Sequence, residues 1–184
     1  MPVQIGAKSH NFSDPTGLLT DCHRRIEMFM GSLRAVGEVI DRPPTGDVRT
    51  ALETALRYFA QAAPKHTADE DSSLFPRMRQ LDRPEVRSAF SELDKLESDH
   101  RVAEPLHGRL QELGEQYLAN GSLSADQVQE FREAVATLSS MYQRHIELED
   151  NVIFPMAARV LSDQEKAVIA SEMAGRRKVE LVKL

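Results

Sequence analysis

Two stretches of this chain are near copies of each other, and any fold it adopts must give both a use. One runs from His66 to Pro76 as HTADEDSSLFP, the other from His145 to Pro155 as HIELEDNVIFP. Each reads H-x3-E-D-x2-[LI]-F-P. On an α-helix, residues four apart lie one above the other on a single face. His66 with Glu70, and His145 with Glu149, can therefore each turn an imidazole nitrogen and a carboxylate toward one point. Two such helices facing each other would enclose a pocket of mixed nitrogen and oxygen donors, which suits iron or another divalent transition metal. One pair alone would read as a surface contact between helix neighbours. Two matched copies, each closing on the same Phe-Pro, argue for a shared site.

The remaining sequence supplies helices to carry them. Ala, Leu, Glu and Arg are plentiful, β-branched runs are scarce and Trp is absent, a composition that favours helix. At 184 residues the chain can bury the core of one domain. Asp14-Pro15 is a helix start, a capping residue followed by proline at the first helical position. Leu19, Ile26, Met30 and Leu33 then recur at helical spacing, with His23 on the same stripe. The run Asp41 to Gly46 (DRPPTG) breaks the pattern. A second helix from about Asp47 carries Leu52, Leu56, Phe59, Ala63, His66 and Glu70 on one face. Pro64 predicts a bend half a turn before His66, or else a break with a fresh turn near Thr67. Pro76 ends or bends that segment.

A third helix from about Pro84 to Tyr117 has the stripe Leu93, Leu96, His100, Ala103, His107, Leu110, and Asn120-Gly121-Ser122 closes it. Ser124 caps a fourth, whose inward row is Phe131, Val135, Leu138, Tyr142, His145, Glu149 and Val152. Ser162 to Glu165 forms a capping box for a short fifth helix toward Met173, stopped at Gly175. The expected fold class is all-α: an up-down-up-down four-helix bundle with a short additional C-terminal helix. Residues 1–13 read as an irregular lead-in in which His10 has no role, 14–160 as the bundle, and 161–184 as the short C-terminal helix and a basic tail. The clusters Arg24-Arg25 and Arg176-Arg177-Lys178 read as solvated helix ends.

The symmetry extends beyond the twin motif. His23 and His100 are 77 positions apart, His66 and His145 are 79, and each lone histidine is followed by arginine with an aspartate near it (Asp21, Asp99). Two helical hairpins, each giving one lone histidine and one His-x3-Glu, would bring four imidazoles and two carboxylates together by pseudo-twofold packing. Structural zinc sites are four-coordinate and often thiolate-rich. Six nitrogen and oxygen donors suit two adjacent metals instead, each held by two histidines and bridged by both glutamates.

On these residues, over roughly positions 16 to 158, the chain resembles the hemerythrin-like (HHE cation-binding) family in a four-His/two-Glu variant. The ordered set of His23, His66-x3-Glu70, His100 and His145-x3-Glu149 with the Phe-Pro ends is specific; any one His-x3-Glu is weak. The resemblance implies two iron ions with an oxo or hydroxo bridge inside a four-helix bundle, with Zn or Mn as substitutes. It implies a position for O2, peroxide or NO. His23 and His66 would hold one iron, His100 and His145 the other, and Glu70 and Glu149 would bridge. Oxygen-carrying hemerythrins place a second histidine four after the one on the third helix; here that position is Glu104. In its ligand set the chain is more similar to iron-centre repair proteins of the nitrosative stress response, but it lacks their additional N-terminal domain. Two similar, open irons suit reaction with O2, peroxide or NO better than reversible storage at one iron. Whether the chain is an enzyme stays open.

Glu27 and Glu104 each lie four after a lone histidine and could add a ligand, or be ordinary polar helix positions. Glu97 with His100 has the E-x2-H spacing of ferritin-like proteins but occurs once, which disfavours that fold. His107, two turns beyond His100, reads as core or an outer group rather than a ligand. Tyr142 reads as core, or as a donor to a bound ligand or nearby carboxylate, and Cys22 as packing. The net charge of −6 and the lack of a basic, aromatic-interleaved stripe exclude a nucleic-acid module. No segment could span a bilayer, and a single cysteine fits a reducing, cytoplasmic setting. No nucleophile elbow, phosphate loop or dinucleotide fingerprint appears, so chemistry must come from the metal, with a redox partner unidentified. The competing reading is an iron- or oxygen-responsive regulatory or metal-binding module without turnover.

Overall fold

The computed structural model describes residues 10–179, and among them there are helices and no strand. The first residues of the expected lead-in and the last of the basic tail lie outside that range. Local signals start most of the long helices. The Asp14 side chain accepts from Gly17 N to open α1 (Pro15–Val39), with Pro15 at its first turn. Thr45 caps α2 (Gly46–Gln61) in the same way. The chain breaks at Ala62, and α3 (Ala63–Asp69) starts with Pro64 in its first turn. A single π-helical turn, Glu70–Leu74, leads into α4 (Phe75–Gln80). A short α5 (Pro84–Arg87) precedes the long α6 (Phe90–Asn120), which carries Pro105 without interruption and ends where Gly121 takes a left-handed φ of 75°. Ser124 and Gln127 form a reciprocal capping box at α7 (Ala125–Leu148). A second π turn, Glu149–Ile153, leads into α8 (Phe154–Val160), and a Ser162–Glu165 box opens α9 (Asp163–Arg177).

The long segments form a helical bundle. α1 lies against α2 and α7, and α6 lies against the same two. A Cβ on Gly114 of α6 would come within 2.6 Å of Leu56 Cδ1, so glycine there lets α2 and α6 approach closely. At one end Tyr117 donates its hydroxyl to the Arg42 carbonyl at 2.7 Å, and Arg132 Nε donates to the Gly37 carbonyl at 2.7 Å.

The core divides into two apolar clusters. One gathers Ile26, Leu33, Leu52, Leu110, Tyr117 and Phe131; the other gathers Leu19, Phe75, Leu93, Leu96, Ile153 and Ile169. Each such side chain removed from water contributes about 1.5–3 kcal/mol. The four histidines fall in the layer between the clusters: His23 between Leu19 and Ile26, His100 between Leu96 and Ala103. The sequence thus writes a polar layer into an apolar stack, with one cluster on either side of it.

Several expectations need correction. The helix breaks beside Pro64, as the second of the two readings has it, but the fresh turn starts at Ala63 and not near Thr67, with proline in a first turn that needs no backbone donor. Val152 is exposed and Ile153 takes the buried place. The π turn explains this, since an extra residue in one turn rotates everything beyond it off the 3.6-residue count. Helix α9 runs through Gly175, and the left-handed residue that stops it is Lys178. Arg176 and Arg177 are not solvated ends. They reach back to Asp69, fully buried at the end of α3, at 2.9 and 2.6 Å.

Candidate metal centre

Each His-x3-Glu pair closes on itself as helix geometry requires. His66 Nε2 lies 3.1 Å from Glu70 Oε1, and His145 Nε2 lies 3.2 Å from Glu149 Oε2. The lone histidines then reach across. His23 Nε2 is 3.1 Å from Glu149 Oε2 and 3.9 Å from Glu70 Oε1, while His100 Nε2 is 3.4 Å from Glu70 Oε2. The six side chains expected from the sequence meet at one buried place. They form two overlapping groups, His23–His66–Glu70–Glu149 and Glu70–His100–His145–Glu149, in each of which one donor atom per residue lies within 4.8 Å of the others. Both carboxylates belong to both groups.

Directly after each glutamate the backbone widens into a π turn, with Phe75 N–H bonding Glu70 O and Phe154 N–H bonding Glu149 O. Pro76 and Pro155 follow at once. A proline has no N–H to give and crowds the carbonyl four residues back, and the widened turn before it accommodates both. The Phe-Pro ends of the twin motif therefore coincide with the widened turn beside each glutamate, whereas Pro105 within α6 has no such turn before it.

The aspartate that follows each glutamate crosses to the other hairpin. His23 Nδ1–H donates to Asp150 at 2.8 Å, and His100 Nδ1–H donates to Asp71 at 2.9 Å. Thr20 and Arg24 also bind Asp150. Sequence reasoning gave Asp71 and Asp150 no role, although their recurrence in both motif copies was the available signal. It associated Asp21 and Asp99 with the lone histidines; instead Asp21 holds exposed His10, and Asp99 accepts from His145 Nδ1 at 3.3 Å. Of the four imidazoles, His66 alone has no partner on Nδ1 among the described residues. Aligning the repeats on His23 and His100 sets Cys22 against Asp99, and the Cys22 thiol is taken up by Arg25 Nη2 at 3.0 Å.

These donors are costly as they stand. All four oxygens of Glu70 and Glu149, with His23 Nε2, are buried without a hydrogen bond among the described residues. A buried ionised group without compensation is strongly destabilising. Burial and the neighbouring Glu149 push Glu70 up to about 7. For Glu149, burial acts upward but the imidazoles of His145 and His23 overcome it and hold the carboxyl below its usual range. Burial also disfavours the charged forms of His23 and His100. The hydrogen bond to Asp150 with the nearby charge of Glu149 in one case, and the hydrogen bond to Asp71 with the nearby charge of Glu70 in the other, outweigh it and raise each to about 10. His66 is lowered by burial and by the charge of His23. Metal ions satisfy such a set directly, and the nitrogen–oxygen donors without thiolate fit the transition metals that imidazole and carboxylate bind.

Glu27 and Glu104 fall outside both groups. Glu27 is exposed and paired with Arg24, and Glu104 is exposed at the rim of a 440 Å³ cavity between α2, α3 and α6. His107 lines that cavity, stacks on Phe59 with ring centres 4.4 Å apart, and meets the Tyr142 hydroxyl at 2.8 Å. Tyr142 thus serves His107 rather than a carboxylate. Among the described residues no helix is long and apolar enough to cross a membrane.

Residues 14–157 match the family model described as the hemerythrin HHE cation-binding domain. A Haemophilus influenzae protein described as uncharacterized is 28% identical over 171 residues, covering 92% of this chain and 93% of that protein.

Proposed function

The chain belongs to the hemerythrin HHE cation-binding domain family, and from that membership we propose that it is a non-haem di-iron protein reacting with O2, peroxide or NO. The observation that carries this reading is the sharing of Glu70 and Glu149 by two four-residue donor groups. Two ions side by side need carboxylates placed between them, and a single ion would leave half the imidazoles idle.

In this reading His23 and His66 hold one iron and His100 and His145 the other, with Glu70 and Glu149 bridging. When bound, such a pair supplies electron transfer to or from a small ligand at a protected site. The chain's own contribution is threefold. The two apolar clusters bury the layer from above and below, and the cavity beside α6 reaches it at His100 and Asp71. Asp71, Asp99 and Asp150 fix the rings of His100, His145 and His23 with Nε2 turned inward. The buried carboxylates supply negative charge that offsets the ions. The net charge of −6 fits a small-molecule ligand and a site without nucleic acid, and the single cysteine fits a cytoplasmic setting.

Metal analysis with the optical spectrum of aerobically purified protein tests this. Two irons per chain with oxo-to-iron charge-transfer bands support it; a colourless protein holding one zinc overturns it. Rapid mixing with O2, peroxide and NO then separates turnover from a regulatory module that binds without reacting.

A further inference from the structure

The two halves of the donor cluster are not equally supported. His100 and His145 each give their Nδ1–H to a carboxylate, Asp71 at 2.9 Å and Asp99 at 3.3 Å. In the other half His23 has Asp150 at 2.8 Å, but His66 Nδ1 is buried with no partner among the described residues. The cause lies in the sequence. Asp99 immediately precedes His100, and the residue that precedes His23 is Cys22, whose thiol is engaged by Arg25. A hydrogen bond from the remote nitrogen fixes ring orientation and strengthens the facing nitrogen as a ligand, and removing it typically costs 10–100-fold in metal affinity. An unmet buried N–H also persists in the loaded protein, so binding at His66 brings no relief to that side of the ring.

We infer that the centre has one tight and one labile position: His100 and His145 form the tight one, and His23 and His66 form a weaker one that fills last and empties first. The inference rests on the dinuclear reading above and adds to it an order of loading set by this chain's own residues. Cys22 is the residue that makes the difference, through what it fails to offer His66. The labile position is where a change in metal supply registers first, while the tight one keeps the bundle closed.

Titration of the full metal-free chain with Co2+ under anaerobic, mildly alkaline conditions reads the order directly, through the visible bands of the bound ion. Two steps are expected, their affinities separated by about tenfold or more. Asp99→Cys, which gives the second half the residue found in the first, should weaken the tight step about 10–100-fold and bring the two together. His100 keeps its bond to Asp71 in that variant, so the change falls on His145 alone. Cys22→Asp should tighten the weak step and leave the strong one unchanged. Two equal steps in the wild type, or Asp99→Cys leaving the tight step as it was, overturns the inference. Binding of only one ion in total overturns the dinuclear reading instead, so the two outcomes are distinct.

Discussion

Asp150 accepts the Nδ1–H of His23 at 2.8 Å across a sequence separation of 127 residues, and so ties the second hairpin to a histidine of the first. Asp71 makes the reverse connection to His100 at 2.9 Å. A carboxylate on Nδ1 sets the tautomer and leaves Nε2 free to face the ion. Asp150→Asn and Asp71→Asn are each expected to lower metal affinity about 10–100-fold with the helical content retained. Competition against a chelator of known strength measures it. Unchanged affinity in both variants would show that these aspartates do not act through the imidazoles.

Glu70 and Glu149 are shared by both donor groups, so neither can be lost without touching both positions. Glu70→Ala and Glu149→Ala are each expected to reduce bound metal from two ions per chain to one or fewer. Elemental analysis after dialysis reads the stoichiometry. Two ions retained in the double variant would sink the bridging assignment. His10→Ala, at an exposed position that contacts Asp21, should change nothing.

Metal uptake should release protons, because His23 and His100, each raised to about 10, carry protons at neutral pH that an ion must displace. Calorimetry in buffers of differing ionisation enthalpy counts them. In the metal-free chain those raised values give stability that is complete below the ordinary histidine value of 6.5 and is lost as pH rises through about 10. His107 has the opposite sign, since burial lowers it to about 4. Its contribution is complete above 6.5 and is lost as pH falls toward about 4. On the acid side Glu70, raised to about 7, acts against His107, so the direct reading is a comparison: the urea midpoint of metal-free His107→Phe should fall less than that of the wild type, or rise more, as pH drops from 6.5 toward 4.

Asp69 is fully buried and is met by Arg176 and Arg177, which are themselves about one-fifth exposed. Replacing both arginines with alanine strands a buried carboxylate beside Glu70. The expected cost is about 3 kcal/mol, at the lower end for a broken buried pair because water reaches the guanidinium side. Denaturant unfolding of the metal-free protein with an unchanged slope measures it. A loss within about 0.5 kcal/mol would mean that Asp69 is neutralised by other means.

The parts of the structure legible in the sequence are those written locally. Asp14, Ser124 and Ser162 cap helices through bonds spanning three residues, and each start falls where the capping pattern put it. The gathering of six donors was legible because i,i+4 spacing repeated twice leaves few other ways to bury both copies. The rest depends on contacts between distant segments or on shifts of helical count. No periodicity announces the π turns that directly precede Pro76 and Pro155, and a regular helical count therefore places Val152 inward where the structure buries Ile153. The aspartate partners were misassigned by proximity in sequence: Asp21 sits two residues from His23 yet faces His10, while Asp150 arrives from the opposite end of the chain. Arg176 and Arg177 looked like a solvated terminus because their partner Asp69 lies more than a hundred residues away.

The crossing of Asp71 and Asp150 has a consequence for how such a chain can be built. Neither hairpin alone is finished, yet a half-length polypeptide docked on its own twin would satisfy every one of those crossed bonds. Joining the twins end to end removes the demand that they stay identical. Cysteine on one side and aspartate on the other is a difference that only a fused pair can keep, and it is how a symmetric vessel acquires a front and a back.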